Sequence, residues 1–166
     1  MSSFTHIDDK GQVRMVDVSD KKPTARLAVA GGKVFMNKET FDAIRDQTVK
    51  KGNVLETARI AGILAAKKTS GLIPMCHPLN ISHVQVDFFP DEKQVCIRIE
   101  GSARTTDQTG VEMEALTAVS VAALTIYDMC KSHDREMRIT DIMLFKKSGG
   151  KSGTYERQIN SQLLKD

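Results

Sequence analysis

The pattern of apolar and polar residues marks one long segment that differs from the rest of the chain. Residues 110–131 carry apolar side chains on all sides of a helix, and their charged residues lie near the two ends. An amphipathic surface helix has an apolar stripe and a polar face, which this segment lacks. We therefore expect a sheet, other helices or another subunit to cover most of it.

Strands are predicted where apolar and polar residues alternate. The alternating segments are residues 12–18, 25–36, 81–89, 94–104 and 137–145. The first two are predicted to form early strands or a hairpin, with Gly31-Gly32 as a turn signal in the second. The third and fourth predict a hairpin that turns at residues 90–93.

Two shorter helices are predicted between these strands, at residues 38–49 and 54–68, from apolar residues at helical spacing. Asn37 is expected to cap the first helix. Asn53 is expected to cap the second, and Glu56 three residues later completes a capping-box pattern.

The order of these elements is strands, two helices, two strands, a long helix and a last strand. This order predicts an α+β fold in which helices pack on one face of a mainly antiparallel sheet. The ferredoxin-like split βαβ is the commonest small version of such a fold. A chain of 166 residues suits a single domain that buries roughly 70% of its unfolded surface. We assign residues 1–158 to this domain and residues 159–166 to a polar C-terminal tail.

Composition and charge limit the class of partner and the location. The net charge is +3, with 24 Lys and Arg against 21 Asp and Glu, so bulk charge does not indicate nucleic-acid binding, whereas anionic small ligands stay open. The three cysteines include no CxxC pair, which indicates neither a disulfide framework nor a zinc ribbon and suits a reducing cytosol. The chain has no basic start followed by an apolar stretch and no uninterrupted apolar run of about 18 residues. We expect a soluble cytoplasmic protein that binds no membrane.

The charged residues of the long helix are the first candidates for chemistry. Glu112 and Glu114 fall in its first turn and Lys131 in its last turn, where the helix dipole favours those charges. Asp128 lies near the C-terminal end, where a carboxylate is disfavoured, and Lys131 is its natural partner three residues later. A structural ion pair and a catalytic acid/base pair are both open interpretations, and we weigh them equally.

Helix geometry separates the two ends of this segment. Glu114 and Asp128 are 14 residues apart, which is about 21 Å along a helix axis. One small substrate cannot easily contact both. If both ends are functional, a site built from two chains is the economical arrangement, and this is a hypothesis about oligomerisation drawn from one helix.

A second candidate is Met75-Cys76-His77, which Pro74 and Pro78 bracket. Each proline disfavours helix in the residue before it, so the three side chains are expected on a stiff extended turn. From the residues alone we favour a loop cap with a buried cysteine and a hydrogen-bonded histidine. Metal and nucleophile sites are weaker alternatives, because neighbouring side chains on an extended chain point opposite ways.

Basic residues form a third group of candidates. Lys50-Lys51 precedes a helix N-terminus, where phosphate can bind, whereas Lys67-Lys68 complements the dipole at that helix's C-terminal end. Solvated lysines without a ligand are the default interpretation. Residues 146–153 look like a phosphate loop, but Phe145 stands where the motif requires glycine. Two interpretations stay open. The segment is either a basic loop that closes over a polyanionic ligand or a disordered C-terminus.

Five groups of motifs follow one another along nearly the whole chain. They are Met15-Val16-Asp17-Val18, residues 57–63 (TARIAGI), residues 72–79 (LIPMCHPL), residues 109–117 (TGVEMEALT) with residues 126–131 (IYDMCK), and residues 147–153 (KSGGKSG). Together they resemble the cyclic pyranopterin monophosphate synthase family, also called molybdenum cofactor biosynthesis protein C. Asn53 departs from the family, whose members often have Asp there. Because asparagine also caps a helix, only a charge role at this position is in question.

The resemblance implies a ferredoxin-like subunit of a homohexamer, a trimer of dimers, with active sites at subunit interfaces. It also implies a reaction in which 3',8-cyclo-7,8-dihydroguanosine 5'-triphosphate, made from GTP by a separate radical enzyme, becomes cyclic pyranopterin monophosphate with release of pyrophosphate. This chemistry opens the guanine imidazole ring, closes a pyrazine and forms a cyclic phosphate, so it needs acid/base groups beside a triphosphate clamp. No cofactor is implied, and Mg²⁺ is open as a companion of the triphosphate.

Carried over to this chain, the resemblance implies catalytic roles for Asp128, Lys131 and Lys51. Asp128 would orient Lys131 or accept protons, and Lys131 would act as an acid/base whose pKa depends on its neighbour and on burial. The implied substrate-binding residues, with no metal ligand among them, are Met75, Cys76, His77, Glu112, Met113, Glu114, Arg26, Lys67, Lys147 and Lys151. The glutamates would accept hydrogen bonds from the guanine-derived base, and the basic residues would contact the triphosphate.

Two other classes of function stay open. A nucleotide-sensing regulatory module would use the same small fold and the same lysines without turnover. A single-stranded nucleic-acid binder would need stacking aromatics, and few of the six Phe and two Tyr lie near basic residues. The second class is therefore the weaker alternative.

Overall fold

Residues 11–158 are described by a computed structural model, and the C-terminal tail assigned to residues 159–166 lies outside the described residues. In chain order the elements are β1 (Thr24–Phe35), α1 (Lys38–Arg45), α2 (Val54–Ala66), α3 (Thr69–Leu72), β2 (Ile81–Asp91), β3 (Cys96–Asp107), α4 (Glu112–Cys130), β4 (Arg138–Ser148) and β5 (Tyr155–Glu156). The strands form a sheet in the order β2-β3-β1-β4-β5, with every neighbouring pair antiparallel. The predicted α+β class is confirmed.

The register of the sheet gathers small and apolar side chains on one face. Ala28 of β1 lies opposite Ala103 of β3, and Val34 of β1 lies opposite Ile97 of β3. These four residues are fully buried, as is Val86 of β2 on the same face. This face forms one half of the core, and the helices cover it.

The long helix α4 supplies the other half of the core. A Cβ on Gly101 of β3 would lie 2.8 Å from Val119 Cγ2, and a Cβ on Gly62 of α2 would lie 2.7 Å from Ala118 O. Glycine at these two positions therefore lets α4 approach both the sheet and α2 closely. α4 is long and apolar enough to cross a membrane, but β1, β3, β4 and α2 pack against it. Its apolar composition is that of a covered core helix, as the pattern predicted.

The glycine pair in β1 does not form the predicted turn. β1 continues through Gly31 and Gly32 without a break. A Cβ on Gly31 would collide with the Phe145 ring, and a Cβ on Gly32 would lie 3.0 Å from Val119 Cγ1. These glycines are therefore required by close packing on the two faces of the strand, and the turn prediction was wrong.

Several other elements differ from the predictions in their presence or their extent. Residues 12–18 are not a strand, since only Val13 in this segment makes an isolated bridge. α1 ends at Arg45 instead of residue 49, because Gln47 adopts a φ of 56° that a right-handed helix cannot include. The β2–β3 hairpin is confirmed, but β2 extends to Asp91, and the turn follows it. The short elements α3 and β5 have no counterpart in the predictions.

Both predicted helix caps are confirmed. Asn37 Oδ1 accepts a hydrogen bond from Thr40 N at 2.8 Å, and Asn53 Oδ1 accepts one from Glu56 N at 3.1 Å. The Glu56 carboxylate accepts from Arg59 Nε at 3.1 Å. The capping box at α2 is therefore made from the asparagine side only.

Candidate active site

Two cavities lie at opposite ends of α4 and contain most of the predicted site residues. We call the first the carboxylate pocket; it has a volume of about 460 Å³ and is lined by Val16, Val18, Lys21, Met75, Cys76, His77, Leu79, Thr109, Gly110, Glu112, Met113 and Glu114. We call the second the lysine pocket; it has a volume of about 370 Å³ and is lined by Lys51, Tyr127, Lys131, Ser132 and Arg135. Both volumes lie in the range of small-molecule sites.

The loop between α3 and β2 contributes one wall of the carboxylate pocket. Its Cys76 N–H donates to Ile73 O at 3.1 Å, and His77 Nε2 lies 2.8 Å from Val16 O. Because a carbonyl oxygen only accepts, His77 Nε2 carries the proton of this hydrogen bond. Burial raises the pKa of the Cys76 thiol, and the nearby Glu114 carboxyl raises it further. Cys76 is therefore a wall residue with a protonated thiol, not an activated nucleophile.

Glu114 is the buried acid of the carboxylate pocket. It is 3% exposed, whereas Glu112 in the same helical turn is only partly buried. Burial raises the pKa of Glu114, the charge of Glu112 raises it as well, and a hydrogen bond from the Glu114 backbone opposes both. A carboxyl with a raised pKa is suited to accept hydrogen bonds or to supply a proton.

We predict that Glu114→Gln stabilises the fold near neutral pH. The folded-state pKa is raised above the ordinary value of 4.5, so the stability that protonated Glu114 contributes is lost as pH rises from that value through the raised pKa. Glutamine keeps the shape of the side chain and has no charge to bury. Thermal unfolding of both proteins between about pH 4 and pH 8 tests this. The Tm advantage of the variant should grow with pH, and a constant or absent advantage would contradict the assignment.

Basic residues of β1 and β4 lie next to the glycine-rich loop that follows β4, near the Glu112 edge of the carboxylate pocket. Lys147 Nζ lies 3.7 Å from Glu112 Oε1 and donates to Ser152 Oγ. Arg26 donates from Nε to Asp107 O at 2.9 Å and from Nη2 to Gln108 O at 3.0 Å. Gly150 has a φ of 75°, and a Cβ there would collide with the Arg26 guanidinium. The loop thus passes directly over Arg26, and the positive φ of Gly150 favours glycine at this position.

The predicted acid/base pair lies at the lysine pocket, which Lys131 lines and Asp128 borders through its bond to Lys131. Lys131 Nζ lies 2.6 Å from Asp128 Oδ1, and the two side chains are 53% and 66% exposed. Lys51 Nζ donates to the Asp128 main-chain oxygen at 3.1 Å. All three predicted catalytic residues therefore lie together at the C-terminal end of α4.

The ion pair keeps both of its members charged at neutral pH. The hydrogen bond from Lys131 lowers the pKa of Asp128, and the same bond raises the pKa of Lys131. For both residues the charged partner sets the direction of the pKa shift. Burial opposes that shift in each case and has the smaller effect. Lys131 is therefore held as an ammonium, and Asp128 is placed to orient it.

Within a single chain the two pockets lie far apart. Glu114 and Asp128 belong to the same unbroken helix, which separates them by about 21 Å along its axis. Lys67 follows α2 on the exposed surface and lines neither pocket. Lys151 belongs to the glycine-rich loop, is exposed and also lines neither pocket.

Several lining residues were not assigned a role from the sequence. In the carboxylate pocket they are Val16, Val18, Lys21, Leu79, Thr109 and Gly110, and in the lysine pocket they are Tyr127, Ser132 and Arg135. Most of the first set lie within or beside the motifs at residues 15–18, 72–79 and 109–117, which was the available signal. Lys21 and Arg135 lie outside those motifs.

Within residues 11–158, no group of three or more His, Cys, Asp or Glu side chains is arranged to hold a metal ion. The absence of metal ligands from the site therefore stays a prediction.

The carboxylate pocket and the lysine pocket consist largely of segments that other proteins share. Residues 15–150 match the MoaC family. A protein of Desulfatibacillum aliphaticivorans is 66% identical over 155 residues, covering 93% of this chain and 98% of its own, and is named cyclic pyranopterin monophosphate synthase. Proteins of the same name from Thermoanaerobacter sp. (strain X514) and Clostridium acetobutylicum are 57% and 56% identical, over 95% and 93% of this chain and 99% and 96% of their own. The chain belongs to the MoaC family.

Proposed function

We infer that this protein catalyses the cyclic pyranopterin monophosphate synthase reaction of molybdenum cofactor biosynthesis. The substrate is 3',8-cyclo-7,8-dihydroguanosine 5'-triphosphate, and the products are cyclic pyranopterin monophosphate and pyrophosphate. One observation carries this inference: the three relatives described above, all named for that synthase, match this chain over 93% to 95% of its length at 56% to 66% identity. A nucleotide-sensing module without turnover is not favoured by these names.

The carboxylate pocket is proposed to bind the guanine-derived ring system. Glu112 and Glu114 present carboxyl oxygens to ring N–H and amino donors, which are the complementary groups of a guanine base. The other predicted contacts, Met75, Cys76, His77 and Met113, form the apolar and polar walls around them. The raised pKa of Glu114 also supports a role in proton transfer at the ring.

The triphosphate is proposed to lie beneath the glycine-rich loop. Lys147 is within 3.7 Å of Glu112, and Arg26 contacts the same loop, so two cations border the end of the pocket that holds the carboxylates. Glycines at 149 and 150 leave backbone N–H groups open to close approach by phosphate oxygens. Lys151 of this loop and Lys67 are further candidates for the outer phosphates.

The lysine pocket is proposed to supply the acid/base groups. Lys131 enters the reaction as an ammonium that donates a proton, and Asp128 keeps that ammonium charged and oriented. Lys51 is the second catalytic lysine and stabilises negative charge that develops on the substrate. Attack on the α-phosphorus to close the cyclic phosphate releases pyrophosphate, and nearby cations favour that leaving group.

One active site is proposed to combine the carboxylate pocket of one subunit with the lysine pocket of another, in a homohexamer arranged as a trimer of dimers. The 21 Å separation within one chain, about 14 residues at 1.5 Å each, supports this arrangement. The outer surface of the helices also carries apolar side chains: Ile60 is 59% exposed, Leu64 is 52% exposed and Leu124 is 57% exposed. Apolar residues of this kind are common at subunit interfaces.

The finer fold assignment also belongs to this proposal. With β5 set aside, the strand order is β2-β3-β1-β4, and the elements follow as strand, helices, two strands, helix and strand. This order supports the ferredoxin-like split βαβ. We further propose a cytoplasmic protein that needs no redox cofactor, with Mg²⁺ entering only as a companion of the triphosphate.

Incubation of the purified protein with the cyclised GTP derivative tests the proposed function. We expect stoichiometric release of pyrophosphate and formation of a fluorescent pterin after oxidation of the product. The same reaction with EDTA measures the contribution of Mg²⁺, and unmodified GTP is the matched control that should give no product. Tight binding of the cyclised substrate without pyrophosphate release would contradict the synthase assignment and support a sensor.

A further inference from the structure

We propose that Arg135 is a phosphate-binding residue, the third cation of the lysine pocket, and that it binds a phosphoryl group of the nucleotide substrate. This proposal rests on the proposed function and assigns a contact that the family motifs in this sequence do not include. It begins from the lining of the pocket, which contains Lys51, Lys131 and Arg135 and no carboxylate.

The charges of this pocket are not balanced within the described chain. Asp128 is paired with Lys131 at 2.6 Å, and Lys51 donates only to a neutral main-chain oxygen. Among residues 11–158, the Arg135 guanidinium has no ion pair and no side-chain hydrogen bond. The three cations therefore share a single carboxylate, Asp128, whose pKa the Lys51 charge also lowers. The remaining positive charge is the electrostatic condition for binding an anion.

The main chain on both sides of Arg135 is held in place. Asp134 is only 5% exposed, and its carboxylate accepts hydrogen bonds from Asn37 N at 2.7 Å and from Glu136 N at 3.0 Å. The Tyr127 hydroxyl donates to Arg135 O at 3.3 Å. These bonds anchor the turn after α4 to α4 itself and to the start of α1, so the Arg135 side chain projects from a fixed backbone.

The chemistry of the side chain points to a phosphoryl oxygen pair. A guanidinium presents parallel N–H donors that match two oxygens of one phosphate, whereas a lysine ammonium acts as a point charge. The cavity of about 370 Å³ has room for a phosphoryl group beside Lys131. Arg135 thus binds the leaving pyrophosphate or the α-phosphoryl group, while Lys131 donates a proton and Asp128 orients Lys131.

The test compares Arg135→Ala, Arg135→Lys and Arg45→Ala with the wild type at one ionic strength, because exposed charges are screened by salt. Arg45 is a matched control: it is an exposed arginine whose partners are Asp42, Asp46 and Glu92, away from both pockets. Calorimetric titration with pyrophosphate gives its Kd, and steady-state assays with the cyclised nucleotide give kcat and KM separately.

We expect Arg135→Ala to raise the Kd of pyrophosphate and the KM of substrate at least about tenfold, the loss typical of a charge-assisted hydrogen bond, with kcat changed less than about threefold. Arg135→Lys should recover part of this loss, and Arg45→Ala should have no effect. An unchanged Kd and KM, a loss confined to kcat, or an equal loss in Arg45→Ala would overturn the assignment. If the wild type binds pyrophosphate through Arg135 but never turns over, the proposed function fails and this assignment stands.

Discussion

Lys131→Ala is expected to lower kcat for pyrophosphate release by about 10²- to 10⁴-fold, the range for loss of a positioned acid/base group. The substituted side chain is more than half exposed, so the fold should not change, and thermal unfolding should give nearly the wild-type Tm. KM should change much less than kcat, because an ammonium that gives up its proton during the reaction contributes most in the transition state. Steady-state kinetics with the cyclised nucleotide measure both quantities.

Lys131→Arg separates proton donation from charge. Arginine keeps the positive charge beside Asp128, but it does not release a proton near neutral pH. We therefore expect Lys131→Arg to stay as inactive as the alanine variant. Lys93→Ala, in the exposed turn between β2 and β3, removes the same charge elsewhere and should keep wild-type kinetics. Recovery of activity in Lys131→Arg would show that the residue supplies charge alone.

The elements that the sequence predicted well are those whose signals are local. The apolar composition of α4 and the Asn37 and Asn53 caps depend on residues within one or two turns, and all of them are confirmed. Gly31 and Gly32 were mistaken for a turn. Glycine is needed there because the Phe145 ring and the Val119 side chain leave no room for a Cβ, and both residues lie more than 80 positions away in the chain. Glycine preference alone cannot separate a turn from a close contact.

In the candidate site, too, the residues with a local sequence signal were predicted and those without one were missed. The Asp128–Lys131 pair follows from its i, i+3 spacing on a helix, and in the structure Lys131 Nζ lies 2.6 Å from Asp128 Oδ1. Arg135 has no comparable signal. The turn that presents it is fixed by the hydrogen bond from Asn37 N to the Asp134 carboxylate, and these two residues are 97 positions apart in the chain. Lys21 reaches the carboxylate pocket through the irregular segment before β1, where no periodicity exists to predict direction.

The composite-site proposal leads to a second large expected effect, because each end of α4 would belong to a different active site. A variant that lacks both acids, Glu112→Ala with Glu114→Ala, damages only the carboxylate half. Lys131→Ala damages only the lysine half. If one site takes its halves from two chains, a mixed pair of subunits contains one site with both defects and one site with none.

Co-expression of these two inactive variants with different affinity tags, followed by purification through both tags, is therefore expected to restore activity. When the subunits pair at random and without selection, about a quarter of all sites should be intact, since half of the pairs are mixed and each mixed pair has one undamaged site. Lys131→Ala mixed with Asp128→Ala is the matched control, because both changes damage the lysine half and no pairing repairs it. Doubly tagged oligomers without activity would mean that each chain builds its own site, and the composite-site proposal would fail. Restoration in the first mixture but not in the control would mean that one active site takes Glu114 from one chain and Asp128 from another. The distance of about 21 Å between these residues along one helix, 14 residues at about 1.5 Å each, would then not have to be crossed by the substrate.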